Sequence, residues 1–374
     1  MRKYLIIIVL FGIFITNLRF YNMCNAKGFS INEYSSAESM VVMERSSNRI
    51  LYSKNEDKIL PMASTTKILT AIVAIEKCKN LDEKHIITKD MTGIEGSSIY
   101  LKEGESLSIR ELLYGLMLRS GNDSAVAIAK IISGSIENFV KEMNSLCVKL
   151  GLLNTNIVTV NGLHDKNHYT TASDLAKISC YALTNSVFQE VVKTKQTKIS
   201  NDLDEKNKCR LLKNKNKLLK IFSGADGVKT GYTTKAGRCF VGSATRNNMQ
   251  VVCVVLNCKD MFEECERLID KAFDEYSLEL VQSQGNLNYS NDNNNLNIIF
   301  KNDIFLPLKN GEKGKVKSEL QIFEKPLHDG QIGFENFLIE NNLIFSEKIY
   351  TIIDEKNEKT ENLKDKFYKV IRAF

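Results

Sequence analysis

A chain of 374 residues with 43% hydrophobic and 26% charged side chains has the make-up of a globular protein, long enough for one large domain and a smaller one. Its formal net charge of +6 is mild and scattered, without a basic stripe interleaved with aromatics. That argues against nucleic acid and suits a polyanionic cell wall or an anionic membrane surface.

The first 26 residues read as a secretory signal. Arg2 and Lys3 precede an apolar run from Tyr4 to Ile15, broken only by Gly12, and Cys24-Asn25-Ala26 offers small residues for cleavage. The run is shorter than the roughly 20 residues a spanning helix needs. An uncleaved anchor is the alternative, and on either reading the rest of the chain works outside the cytoplasm. The cysteines that follow contain no CxxC pair, and Cys253, Cys258 and Cys265 fit no common zinc spacing.

Residues 30–276 carry mixed signals. Ser39–Val42 and Arg49–Tyr52 read as strands around a Ser-Ser-Asn turn. Ser64 opens a helix that is apolar nearly all round through Ile68, Leu69, Ile72, Val73 and Ile75, so it is expected to be central and buried. Ile109–Leu118 is an amphipathic helix, a second helix starts just after Asn122, and Phe139–Leu150 reads as a third. Cys239–Ala244 and Gln250–Leu256 are strands joined at Arg246-Asn247-Asn248, and Met261–Tyr276 is a closing helix. The pattern predicts an α/β (α+β) domain: an antiparallel sheet with a helical cluster, its first and last strands drawn from distant parts of the chain. Gln282–Asn295, rich in Asn, Ser and Gly, reads as a linker. Residues 277–352 read as a small β-rich domain. Over 353–374 the pattern predicts an amphipathic helix, with Leu363, Phe367, Val370, Ile371 and Phe374 on one face and Lys364, Lys366, Lys369 and Arg372 between them. Such a helix either lies in a membrane interface or docks on the protein.

Three short motifs stand in order: Ser64-Thr65-Thr66-Lys67, Ser120-Gly121-Asn122 and Lys229-Thr230-Gly231. This set is a known template for penicillin-binding proteins and class A β-lactamases. Residues three apart on a helix share a face, so Lys67 can reach Ser64. A serine hydroxyl is a poor nucleophile until a base takes its proton. Lysine serves as that base only when neutral, which burial and a second cation favour; Lys229 is the candidate for that cation. Taken singly each motif has a plain alternative: a helix cap at Ser64, an ordinary turn at Ser120, a solvated hairpin entry at Lys229. Their order, spacing and context together favour catalysis.

On these residues the chain resembles the low-molecular-mass D-alanyl-D-alanine carboxypeptidases, serine DD-peptidases of the penicillin-binding class. The resemblance extends to Pro61-Met62-Ala63, Asp123-Ser124-Ala125, Asn161-Gly162-Leu163, His168-Tyr169-Thr170-Thr171-Ala172 with Asp174, Asp226-Gly227-Val228, and Lys235-Ala236-Gly237. It covers residues 36–276, and the tail in outline. It implies a β-lactamase/DD-peptidase-like catalytic fold, removal of the terminal D-alanine from peptidoglycan stem peptides through an acyl-enzyme, inhibition by β-lactams, and no metal or organic cofactor. By position, Ser64 would be the nucleophile, Lys67 its base and Ser120 a proton relay. Asn122 would hold the substrate backbone. Lys229, Thr230, Gly231, Tyr232 and Thr233 would line the carboxylate and oxyanion sites, with the N–H groups of Ser64 and Tyr232 as the oxyanion hole. Relatives also carry a β-rich domain ending in an amphipathic anchor, which implies attachment of residues 363–374 to the outer face of the cytoplasmic membrane. One departure stands out. Related enzymes often place an arginine near the start of the closing helix, where this chain has Asp260-Met261-Phe262-Glu263-Glu264; Arg238 is a candidate to help in its place.

Other readings are weaker. A class A β-lactamase needs a deacylating glutamate in an ExxLN-like stretch, and none is found. An inert penicillin-binding or wall-sensing protein would not need every catalytic side chain intact. A metallopeptidase on His164, Asp165 and His168 lacks HExxH, and a Ser-His-Asp hydrolase would want GxSxG.

Overall fold

A computed structural model describes residues 35–351, apart from 205, 207, 292–293 and 324–329, together with 368–373. The described residues fall into two compact units, with the boundary between Asp274 and Glu275. The segment read as a signal, 1–26, lies outside the described residues.

In the first unit, β1 (Ser39–Glu44) and β2 (Ile50–Lys54) form a hairpin. A 3-10 turn over Ala63–Thr66 leads into α1 (Lys67–Lys77). Short strands β3 (Lys84–Ile86) and β4 (Ser106–Ser108) pair ahead of α2 (Ile109–Leu118). Helices α3 (Asn122–Ser133), α4 (Ile136–Lys149), α5 (Ala172–Ala182) and α6 (Ser186–Lys193) follow. A hairpin of β5 (Gln196–Ser200) and β6 (Cys209–Lys213) and a one-turn helix α7 (Leu218–Ile221) lead to β7 (Ala225–Thr233), β8 (Gly237–Arg246), β9 (Met249–Leu256) and α8 (Met261–Glu275). The main sheet has the order β2-β1-β9-β8-β7, antiparallel throughout. The expected union of early and late strands is what the chain makes: Ser39 pairs with Leu256 and Glu44 with Val251.

Local chemistry explains the ends of these elements. Asn247 and Asn248 both take left-handed φ, 48° and 64°, as a two-residue turn between twisted strands requires. Gly134 ends α3 at φ 74°. In α1 every residue from Lys67 to Ala74 is buried, because α2, α3 and α5 pack around it. Its start differs from the expected one: Ser64 sits in the 3-10 turn, and the α-helix begins at Lys67. On the other layer α5 packs on β1 and β9, and α6 on β7. The middle of the sheet and its β7 edge are thereby held against helices that in turn pack on α1.

The second unit is built from β10 (Tyr276–Gln282), β11 (Gly285–Asn291), β12 (Asn294–Phe300), β13 (Ile304–Lys309), β14 (Val316–Ile322), β15 (Gln331–Ile339), β16 (Asn342–Tyr350) and β17 (Tyr368–Ala373). Six strands form one sheet in the order β11-β12-β16-β15-β14-β17, and β10 pairs with β13. Two sequence expectations are corrected here. The expected linker over 282–295 contains β11 and the start of β12, paired from Gly285–Phe300 to Asn291–Asn294. Alternate residues Leu287 and Tyr289 pack on a core that includes Ile298 and Phe300, a two-residue period hidden among Asn, Ser and Gly. The helix expected over 353–374 is replaced at Tyr368–Ala373 by a strand on the edge of β14; the remainder of that stretch lies outside the described residues. The open backbone groups of an edge strand offer this segment partners, and Tyr368, Val370 and Ile371 favour extended backbone. Among the described residues no helix is long and apolar enough to cross a membrane.

One carboxylate ties the start of α2 to its surroundings. Glu111 completes a capping box with Ser108 and also accepts from Lys84 Nζ at 2.5 Å, Ser200 N at 2.9 Å and Ser200 Oγ at 2.7 Å. Burial pushes this carboxyl up, but the hydrogen bonds from Lys84, Ser108 and Ser200 outweigh it and hold it at about 2. Its stabilisation is therefore complete above its ordinary value of 4.5 and is lost as pH falls toward 2. Solvent screens a half-buried group, so Glu111→Gln should lower stability by about 1–2 kcal/mol at pH 7. Urea unfolding of both proteins should show that gap closing between pH 4.5 and 2.

Candidate active site

The turn before α1 is unusual backbone. Ala63 has φ 49°, a left-handed value that alanine avoids. Side chains brace it from within: Thr65 Oγ1 donates to Met62 O at 2.6 Å, and Thr66 Oγ1 to Ala63 O at 2.7 Å. His168 braces it from outside. Its Nδ1 accepts Val158 N–H at 3.0 Å, so the neutral ring carries its proton on Nε2, which lies 2.8 Å from Thr66 Oγ1. Gly162, at φ 82°, presses on the same turn; a Cβ there would stand 2.0 Å from Ala63 O.

This turn presents Ser64 to Lys67. Lys67 Nζ lies 3.0 Å from Ser64 Oγ, 2.7 Å from Asn122 Oδ1 and 2.5 Å from Asn161 O. The last two can only accept. Asn122 is fixed in that orientation because its Nδ2 donates to Glu95 O at 2.6 Å. A neutral amine has two N–H groups and one lone pair. In that form the two obligatory acceptors would take both N–H groups, and the lone pair would face Ser64 Oγ. The lysine is fully buried. Burial, then the charges of Lys229 and Lys215, lower its pKa well below the ordinary lysine value, against a smaller pull from Asp123.

Asn122 opens α3 immediately after the turn at Ser120, which has φ 64°. Ser120 is 4% exposed, and its hydroxyl has no hydrogen-bond partner among the described residues. Asn122 N–H donates to Ser97 O at 2.7 Å. Asp123 gathers the same loop, accepting from Ile99 N, Leu101 N and Ser98 Oγ. The loop 95–101 and the second motif thus fix each other.

The third motif lies on β7, the edge strand of the main sheet. Gly231 is there for space: a Cβ would stand 3.0 Å from Ser64 N and 3.2 Å from Met62 O. Lys229 is 1% exposed and donates to Thr230 O at 2.9 Å. Burial, with the charge of Lys215, brings it to about 7. Thr230 is half-buried and Tyr232 exposed. Thr233 Oγ1 accepts Ala236 N–H at 3.0 Å in the turn to β8 and keeps its own proton to donate. Ser64, Lys67, Asn122 and Gly231 are therefore in direct juxtaposition, and Lys229 is coupled to them through charge. Arg238 donates to Lys259 O at 3.0 Å, and the first turn of α8 brings Phe262 onto Phe240 at 4.9 Å between ring centres.

With this geometry in place, comparison with known proteins is decisive. Residues 27–260 match the family model described as D-alanyl-D-alanine carboxypeptidase. The chain belongs to the D-alanyl-D-alanine carboxypeptidase family. The D-alanyl-D-alanine carboxypeptidase DacF of Bacillus subtilis is 36% identical over 247 residues, covering 64% of this chain and 63% of that protein. DacC of Escherichia coli is 35% identical over 251 residues and is covered to 61%. The chain thus spans about three-fifths of the length of these relatives. Penicillin binding protein 5 from Haemophilus influenzae superposes with a TM-score of 0.71 at 27% identity, covering 86% of this chain and 97% of that one. The Streptomyces K15 DD-transpeptidase superposes at 0.61 with 32% identity, over 65% and 98%. The family's fold, with its helical cluster on an antiparallel sheet and a further β-rich unit, is the fold of this chain.

Several residues around Ser64, Lys67 and Lys229 were given no role by the sequence reading. Asn161 acts through a backbone carbonyl, which no side-chain motif reveals. His168, weighed from sequence only in a weaker metal reading, has both ring nitrogens occupied, by Val158 and Thr66. Among the described residues no group of three His, Cys, Asp or Glu is placed to hold a metal. Lys215 and Asn216 sit in a run of lysines that resembles a solvated face, although Asn216 Nδ2 donates to Gly227 O at 2.9 Å, two residues before Lys229.

Burial lowers His168 to about 4. The unfolded chain takes up this proton first, so stability should hold above the ordinary value of 6.5 and decline as pH falls from there to 4. The loss should be about 3 kcal/mol. Chemical unfolding at stepwise pH should show His168→Gln with a flatter profile across that window.

Proposed function

We propose that this chain is a serine-type D-Ala-D-Ala carboxypeptidase that removes the terminal D-alanine from peptidoglycan stem peptides through an acyl-enzyme on Ser64. The observation that carries the reading is the Lys67 amine, held by two obligatory acceptors so that its lone pair meets Ser64 Oγ. Ser64 Oγ attacks the carbonyl carbon of the penultimate D-alanine, and its proton passes to Lys67 Nζ. The oxyanion is held by the N–H groups of Ser64 and Tyr232, whose close approach the missing Cβ of Gly231 supports; one such donor contributes about 3 kcal/mol to the transition state. Collapse breaks the C–N bond, and Ser120 relays the proton to the departing amine. Water then hydrolyses the ester.

Asn122 orients the substrate backbone, and Lys229 and Thr230 bind the terminal carboxylate beside Thr233. A β-lactam presents its strained amide to the same serine and stays attached. No observation favours a β-lactamase or an inert binding protein.

The domain reading goes with this activity: a signal over 1–26, a catalytic domain over 30–276 and a β-rich domain over 277–352. The site of action is outside the cytoplasm, and the mixture of apolar and basic residues over 363–374 supports contact with the outer face of an anionic membrane, with 368–373 as strand in the described form. A chain ending before Glu361 should bind anionic vesicles less than the full chain does; equal partition would refute attachment.

Intact mass after incubation with benzylpenicillin tests the chemistry. A stable adduct should form on the wild type and be absent from Ser64→Ala. Lys67→Arg, which cannot give up its proton, should slow adduct formation by about 10³-fold. No wild-type adduct would defeat the proposal, and rapid release of hydrolysed drug would make the protein a β-lactamase.

A further inference from the structure

The positive charge that reads as scattered along the sequence is gathered in one segment. Residues 193–220 hold ten of the 51 Lys and Arg and only three of the 45 Asp and Glu, a net +7 in a chain whose total is +6. The remainder of the chain is thus close to neutral. Nine of the ten cations are lysines, and all nine are exposed. None of these lysines takes part in an ion pair among the described residues; Arg210 does, with Glu105. Two of the acids serve backbone groups instead: Asp202 accepts Ser106 N–H at 3.2 Å, and Asp204 accepts Lys206 N–H at 3.0 Å. Ordinary surfaces intersperse the two signs, because like charges crowded together repel.

The fold turns this charge outward. In the hairpin of β5 and β6, Ile199 and Leu212 are buried on the inner face, and Lys198 and Lys213 are diagonal neighbours on the outer one. Beyond β6 the lysines alternate with pinned asparagines. Asn214 Nδ2 donates to Thr194 O at 3.0 Å and Asn216 Nδ2 to Gly227 O at 2.9 Å, while Lys213, Lys215 and Lys217 stay exposed. Lys193 and Lys195 join them at the base of the hairpin, where Asn214 N–H donates to Lys195 O at 2.9 Å. That base is tied to the catalytic elements, since Lys215 N–H donates to Leu118 O at 3.1 Å, two residues before Ser120. The lysines therefore border the site. The segment contains no aromatic residue to stack on a nucleobase or to seat in a bilayer interface. Dense positive charge without rings fits a flexible polymer that carries charge and no bases.

We propose that the outer face of this hairpin, with Lys193, Lys195, Lys198 and Lys213, is a docking surface for a linear phosphodiester polymer of the cell wall. The repeated negative charges of such a chain supply the counter-charge that the lysines lack, and release of the polymer's own counterions drives association. Bound there, the polymer keeps Ser64 beside the wall. The inference is separate from the acyl-serine chemistry. Lys215, whose charge bears on Lys67 and Lys229, is left out of the tested set.

The test titrates the full chain into fluorescent poly(glycerol phosphate) at about 50 mM salt and again at about 200 mM. The wild type should bind, and more weakly at the higher salt. A variant with Lys193→Gln, Lys195→Gln, Lys198→Gln and Lys213→Gln should bind at least about tenfold more weakly at the lower salt, with its rate of acylation by benzylpenicillin and its thermal midpoint unchanged. A second variant replaces four other exposed lysines of the same unit, Lys79, Lys89, Lys141 and Lys166, by Gln. It has the same net charge as the first and should keep the wild-type affinity. Equal loss in the two variants would show that net charge alone attracts the polymer, and would overturn the proposal. A wild type that ignores the polymer would do the same, as would lysines that matter for binding to phosphatidylglycerol vesicles and not to the polymer, an outcome that makes the face a membrane contact. A wild type that binds the polymer at these lysines yet forms no benzylpenicillin adduct would defeat the carboxypeptidase reading and leave this inference standing.

Discussion

The placement of one amine governs the design of this protein. Lys67 is fully buried, has no carboxylate partner at its nitrogen among the described residues, and lies within the field of two further lysines. In water a lysine keeps its proton; here exclusion of solvent and like charge both favour its loss, and two oxygens that can only accept hold the nitrogen in place. The rest of the architecture can be understood as the support this arrangement requires. The helix that starts at Lys67 is apolar on nearly every side because it must pass through the middle of the domain, away from water.

The support is costly in local strain. Ala63 and Ser120 both adopt left-handed backbone, where a side chain is disfavoured by roughly 1–2 kcal/mol. Such residues persist only where neighbours over-determine them. At Ala63 the neighbours are Thr66, neutral His168 and Gly162; at Ser120 they are the end of α2 and the start of α3. Strain of this kind fits the proposed activity, since it holds Ser64 Oγ and Lys67 Nζ together in advance.

The order of elements along the chain follows from the same demand. The first two motifs straddle the starts of α1 and α3, and the third lies on the edge strand β7. The sheet is closed by β1 pairing with β9, although some two hundred residues of chain separate them. That long-range pairing fixes β7 against the turn of Ser64 with the clearance of a single missing Cβ at Gly231. A strand displaced by one residue would put a side chain where the backbone of Ser64 now lies.

Much of this was legible in the sequence. The three motifs, their order, the central apolar helix and the early and late strands all follow from residue type and spacing, because they are local and periodic. The same reading failed where the signal was not periodic or where two structures share one pattern. At 285–291 a strand was hidden by asparagines, and at 368–373 basic residues among apolar ones suit an amphipathic helix and an edge strand alike. What the sequence by itself determined is the chemistry: a serine, a lysine three residues on, and the motifs that serve them. What only the tertiary structure decided is how that chemistry is switched on. The carbonyl of Asn161 against Lys67 and the neutral ring of His168 against Thr66 depend on distance and burial, and these exist only once remote segments pack together.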